Sequence, residues 1–178
     1  MSVFTNPAGQ SIENAREYVS AILGLLGDRD PFEVLHATPA ALQRTLDERT
    51  PEEIRTREAP GKWAVRDVIQ HLADSDLVWG YRVRLVLSQD RPALTGYDQD
   101  SWASSLGYAE SDPREAFDAF RVLRRANLRL VERASPEDLR RVGVHAERGD
   151  ESLEHMIRLY AGHDILHLRQ IERILEAV

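Results

Sequence analysis

Apolar residues along the chain recur three and four apart, the spacing that gives a helix one apolar face. Nowhere do they alternate with polar residues for long enough to predict a strand. Ser11 precedes a first stripe of Ile12, Ala15, Val19, Ile22, Leu23 and Leu26, and Gly27 follows it as a stop signal. Asp30-Pro31 and Thr38-Pro39 each set a capping side chain before a proline, the order favoured at a helix start. They predict two short helices ending near Thr50-Pro51. A long stripe runs from about Ala64 to Ser88 with no proline inside it. A segment bearing prolines and glycines, roughly Gln89 to Gly107, separates it from Ser111-Asp112-Pro113. There a helix restarts with the stripe Ala116, Phe117, Phe120, Leu123, Asn127, Leu130 and Val131. Ser135-Pro136 caps a short turn, Val142 to Asp150 reads as a loop, and the last helix spans about Ser152 to Ala177. Four helices longer than about fourteen residues, each with one apolar face, predict an all-α four-helix bundle with a long crossover connection.

The length of 178 residues fits a single domain, 1–178, and the content of 42% apolar residues supplies it with a core. A formal net charge of −7 opposes phosphate backbones and anionic lipid, so neither nucleic acid nor a membrane surface is an expected partner. Cysteine is absent, which excludes disulfides, zinc–thiolate sites, iron–sulfur clusters and a cysteine nucleophile. No segment approaches the roughly 20 continuous apolar residues of a membrane span. The amino-terminal stretch also lacks the basic start and apolar run of a signal peptide, so a cytoplasmic protein is expected.

The chemistry concentrates in histidines. In the last helix, Tyr160-Ala161-Gly162-His163-Asp164-Ile165-Leu166-His167 sets two imidazoles four apart, hence one turn above the other on one face. At about 100° per residue, Met156, Tyr160, Ile171 and Ile174 share their direction, so both rings point into the bundle. In the 64–88 helix, His71 shares its direction with Ala64, Val68, Ser75, Val78 and Val86, and also points inward. Arg82 falls on this inward face three turns further along, an unusual place for an unpaired charge. Asp74 lies at the edge of the same face.

Three inward imidazoles from two helices form a three-nitrogen set for zinc, nickel, copper or iron, with coordination positions left for water or substrate. The competing reading is three core histidines satisfied by hydrogen bonds. The spacing lacks the glutamate of HExxH, so it does not indicate a zincin. Asp164 and Gln170 flank the histidine face as candidates to orient the imidazoles. His36, His145 and His155 read as solvated or locally bonded. The loop segment Arg91 to Trp102, with Tyr97, Asp98 and Asp100, reads either as a packed loop anchored by its aromatics or as a wall of the site.

Lys62-Trp63-Ala64-Val65 through His71-Leu72-Ala73-Asp74 resembles the W-S/T-x-x-x-x-x-x-H-L-x-D stretch of the DinB-like family. Tyr81-Arg82, Arg91-Pro92, Tyr97-Asp98 and Trp102 are similar to its YfiT and bacillithiol-transferase-like subgroup, and the Tyr160–His167 run closes the pattern. The resemblance implies a four-helix bundle holding a divalent metal, typically nickel or zinc, on His71, His163 and His167. It implies a small-molecule substrate, a role in stress response or detoxification, and a homodimer among the allowed assemblies.

On that basis the leading expectation is transfer of a bacillithiol-like low-molecular-weight thiol to an electrophile. The thiol must arrive as co-substrate, because the chain has none of its own. Arg82, Tyr97 and Trp102 are the candidates to bind it, with Arg82 pairing a carboxylate on the thiol. Arg82, Asp74 and Asp164 are the catalytic candidates. The alternatives are a metal-dependent hydrolase with Asp74 or Asp164 as base, a non-catalytic metal-binding stress protein, and a metal-free bundle.

Overall fold

The computed structural model describes residues 12–177, with side chains from Ala15 onward. The Ser11 cap, the Ile12 side chain and the amino-terminal stretch considered above for a signal lie outside the described residues. The helices are α1 (Ile12–Leu26), α2 (Pro31–Glu48), α3 (Pro51–Arg55), α4 (Val65–Ser88), α5 (Gln99–Ser105), α6 (Pro113–Val131), α7 (Pro136–Leu139) and α8 (Leu153–Ala177). Three strands accompany them: β1 (Ala93–Leu94), β2 (Val142–His145) and β3 (Gly149–Ser152). Helices α2, α4, α6 and α8 close a four-membered ring, in which α4 and α2 each pack on both α6 and α8. The expected all-α bundle is therefore present, and α1 lies outside the ring against α8.

One expectation is corrected at Pro39. The Thr38-Pro39 pair does not start a helix; it lies inside α2, which runs unbroken through it. Proline removes the N–H that would bond the carbonyl four residues back, here Leu35. That carbonyl accepts instead from Nη1 of Arg124 at 3.1 Å, so a tertiary contact stands in for the missing helical bond. The Thr38 hydroxyl turns back onto the Val34 carbonyl at 2.9 Å and caps nothing.

The two predicted loops are also structured. The 89–107 connection carries β1 and α5, and the 142–150 loop is a β-hairpin. β1 pairs in parallel with β2, Leu94 opposite His145, and β2 pairs antiparallel with β3. Segments of two to four residues hold too few alternations to show in the sequence, and the pairing of β1 with β2 spans some fifty residues. The sheet ties the connection after α4 to the connection before α8.

The core falls into two apolar clusters. One holds Val65 to Ala73 of α4 with Phe117 and Phe120 of α6 and Ile171 and Ile174 of α8. The other holds Trp79 to Val86 of α4 with Leu128 and Val131 of α6 and Leu153 to Ile165 of α8. Between them each helix contributes buried polar groups: Ser75 and Asp76, Arg124 and Asn127, Asp164 and His167. Arg124, 1% exposed, takes the place that the predicted stripe gave to Leu123, which is only half buried. Its guanidinium donates to Asp76 at 3.1 and 2.7 Å and to Asp164 at 2.5 and 2.9 Å.

Breaking such a network leaves uncompensated charge in the core, so Arg124→Met is expected to cost about 3–5 kcal/mol. Joint replacement of Asp76, Arg124 and Asp164 by Leu, Met and Leu should restore most of that loss. Urea unfolding of the single and triple variants measures both.

Candidate metal centre

His71 comes from the first half of α4, and His163 and His167 come from successive turns of α8. Their Nε2 atoms converge: 3.2 Å separates His71 from His163, and 3.1 Å separates His163 from His167. One nitrogen from each of the three lies within 4.8 Å of the others. The Nδ1 of His167 bonds Oε1 of Gln170 at 2.8 Å, an acceptor, so this nitrogen carries the hydrogen and Nε2 keeps its lone pair. Gln170 thus plays the orienting part expected of it. The Nδ1 atoms of His71 and His163 are buried with no hydrogen-bond partner among the described residues.

All three rings are held neutral. Burial pushes His71 and His163 well below the ordinary value, and the neighbouring imidazoles push the same way. His167 is pushed down to about 4, again chiefly by burial, which the Gln170 bond only partly offsets. Neutral imidazoles with converging nitrogens are short of hydrogens to bond one another and rich in lone pairs. That donor set fits a divalent first-row transition metal, which would take all three nitrogens at once.

The centre lies between two concavities. On one side is a cavity of about 70 Å³ bordered by His71, His163, Ser75, Tyr97, Arg82 and His145. On the other is an open cleft of about 520 Å³ bordered by Trp63, Lys62, His167, Gln170 and Arg173. Gln99 of α5 borders both. The Trp63 ring packs on His71 with centroids 5.0 Å apart. Helix α1 closes the inner cavity with Tyr18 and Ile22. It can do so because residue 162 is glycine: a Cβ there would lie 2.3 Å from the Ile22 carbonyl oxygen.

A family model described as the DinB superfamily matches residues 35–171, a span that contains all three histidines. The chain belongs to the DinB superfamily. It is 32% identical over 134 residues to a protein of Oceanobacillus iheyensis, covering 75% of this chain and 77% of that one. It is 27% identical over 144 residues to YfiT of Bacillus subtilis, covering 80% and 81%. Both relatives bear the name "putative metal-dependent hydrolase". The solved structure of Bacillus subtilis YfiT has an unusual four-helix bundle topology. It matches this DinB-superfamily fold with a TM-score of 0.75 at 26% identity, over 81% of this chain and 83% of that one.

Within this DinB-superfamily fold the other expected residues meet different fates. Asp164 does not face the histidines; it is buried against Arg124 and is no free base. Asp74, half buried, accepts from the Tyr108 hydroxyl at 2.6 Å and does not border the inner cavity. Tyr97 does border it, its hydroxyl 2.9 Å from Ser75 Oγ, which in turn lies 3.4 Å from His71 Nε2. Trp102 borders neither concavity and packs on Tyr97, centroids 4.5 Å apart, so it supports the wall without forming it.

Arg82 is buried and is tied to neither Asp74 nor Asp98. His36 is exposed and bonds Glu132, and His155 is partly exposed near Glu151, as expected of solvated or locally bonded histidines. His145 is locally bonded, its Nδ1 accepting from the Glu147 N–H, but it is not solvated: it lies 2% exposed in strand β2 beside Arg82. Ser75 joins the site unforeseen, although its spacing of four from His71 already placed it on that face.

These pKa directions set a pH dependence. The unfolded chain protonates its imidazoles below about 6.5 while the folded one resists, so their contribution is present above 6.5 and is lost as pH falls toward about 4. Burial raises Asp76 above 3.8, and its contribution runs the other way, lost as pH rises, but it is one group against three. The urea midpoint of metal-free protein should therefore drop steadily on acidification through that window. Bound metal should leave over the same range, read by chelator-coupled absorbance.

Proposed function

We propose that the chain is a metal-dependent hydrolase of small molecules, working at the three-histidine centre. The observation that carries this reading is the convergence of three neutral imidazole nitrogens beside a partly open cavity, with no carboxylate or fourth imidazole joining them among the described residues. A divalent metal held there would supply Lewis acidity and make water acidic enough to act as a nucleophile near neutral pH. Hydrolysis adds the water oxygen to the electrophilic carbon, breaks its bond to the leaving group, and sends a proton to that group.

The chain's own residues supply the setting. His71, His163 and His167 would hold the metal, and Gln170 holds His167 in the tautomer that leaves Nε2 free to ligate. The Trp63 ring packs on His71, and apolar clusters flank the polar layer on either side. Ser75 and Tyr97 form a hydroxyl chain leading from His71 into the cavity. Burial raises the pKa of Tyr97, so its hydroxyl stays protonated and donates a hydrogen bond to an oxygen of the substrate.

Transfer of a low-molecular-weight thiol remains the second reading. The same centre would take a thiol in place of water, and a chain without cysteine must borrow one. The names of the relatives support hydrolysis over transfer.

Purified protein, stripped by chelator and reloaded with nickel or zinc, is to be assayed on a panel of esters and amides with and without added thiols. Metal-dependent, thiol-independent turnover is expected, and turnover that requires thiol moves the assignment to transfer. His71→Ala and His163→Ala should each abolish bound metal and turnover together. Gln170→Leu should weaken metal binding by about 10–100-fold while leaving the ligands in place, read by competition with a chromophoric chelator.

A further inference from the structure

Two arginines are buried among the described residues, in opposite circumstances. Arg124 is compensated by two carboxylates. Arg82, 5% exposed, forms no ion pair among the described residues. Its Nη2 donates to the Thr95 carbonyl and lies 3.2 Å from Nε2 of His145. Its Nε–H is buried and has no acceptor among the described residues. A buried guanidinium without counter-charge is costly, and this one borders the cavity that also contains His71 and His163.

His145 compounds the shortage of acceptors. Its Nδ1 accepts from the backbone N–H of Glu147 at 3.2 Å, and its Nε2 faces the Arg82 guanidinium, so both neighbours are donors. Burial and the charges of Arg148 and Arg82 push its pKa down to about 3, so the ring is neutral and has one lone pair for two donors. Whichever nitrogen accepts, one of the two donors is left unmet, and the Arg82 Nε–H beside them has no acceptor among the described residues. An oxyanion entering the cavity supplies one.

Arg148, the other arginine on this lining, is already matched bidentately to Glu151 at 2.6 and 2.9 Å. Glu147, also on the lining, is itself engaged. Among the described residues on this lining Arg82 is thus the cation that forms no ion pair, and one guanidinium matches a monoanionic carboxylate better than a phosphate dianion.

We infer that Arg82 and His145 form a carboxylate subsite at the inner end of the cavity, so that the substrate carries a carboxylate several bonds from the group that reacts at the three histidines. The subsite deepens the hydrolase reading and rests on it for the substrate's reacting end alone. Arg82 lies three helical turns beyond His71 on the same face of α4. Helical side chains lean toward the helix N-terminus, which brings the guanidinium back toward His71. By the rule of about 10–15 Å³ per water-sized group, the cavity of about 70 Å³ admits about five such groups, enough for the carboxylate end of a short chain whose tail extends through the open side of the cavity.

Titration calorimetry of zinc-loaded and chelator-stripped full-length protein with hexanoate and hexanamide tests this. Stripped wild type should bind hexanoate roughly ten- to hundredfold more tightly than hexanamide, the range for charge-assisted hydrogen bonds. Arg82→Met should erase the preference, and Arg82→Lys should retain part of it, both variants being checked by thermal melting. If both variants fail to fold, the Arg82 Nε–H resonance in 15N-arginine protein must move downfield with hexanoate and not with hexanamide.

Equal binding of acid and amide by stripped wild type overturns the inference. So does an undiminished preference in a folded Arg82→Met protein, or an unmoved resonance. Binding is read without turnover, so the two readings fail separately. Selective binding with no hydrolysis removes the hydrolase and keeps the subsite, whereas hydrolysis of neutral and anionic esters alike without carboxylate binding does the reverse.

Discussion

One buried guanidinium holds the bundle in register. Arg124 of α6 reaches Asp76 on α4, Asp164 on α8 and the Leu35 carbonyl on α2, so a single side chain touches all three other members of the ring. Its carboxylate partners lie close in sequence to the ligand candidates, Asp76 five residues after His71 and Asp164 directly after His163. Fixing Asp76 against Asp164 therefore fixes His71 against His163. A slip of one turn along either helix would carry an imidazole about 5 Å away and separate the nitrogens. The clamp and the metal centre share one layer of the bundle, and the first sets the geometry of the second.

That layer is polar for a reason that the two apolar clusters make plain. Each cluster alone would pack helices with considerable freedom of register, because dispersion and the hydrophobic effect have little directionality. Hydrogen bonds to charged groups in a dry environment are directional and costly to break, so they choose among the packings that the clusters allow. The same dryness keeps the imidazoles neutral, which is the state a metal requires. Stability and ligand competence thus have a common cause in the burial of the layer.

The connections finish the site. The segment after α4 supplies Thr95 and Tyr97, and the hairpin before α8 supplies His145; the parallel pairing of β1 with β2 joins the two beside Arg82. Helix α1 closes the cavity from outside the ring, resting where Gly162 lets its backbone approach. Bundle helices therefore provide the metal ligands, while the irregular segments shape what reaches them. The division follows from rigidity: ligands need fixed spacing, whereas a binding wall can be built from short pieces that change without disturbing the core.

The helical pattern alone determined the bundle class, the extents of α4, α6 and α8 to within a residue or two, and the inward direction of His71, His163 and His167. These are consequences of a local 3.6-residue period, which the order of side chains records directly. Tertiary structure decided the rest. Pro39 stays inside α2 because a distant arginine takes the carbonyl it leaves unbonded, and the pattern of local caps contains no trace of that partner. Asp164 becomes an ion-pair member and His145 a buried cavity residue for the same reason. Their roles depend on which charge or strand arrives from forty or more residues away, and the energy of a buried polar group is set by its neighbours in space, which periodicity along the chain does not encode.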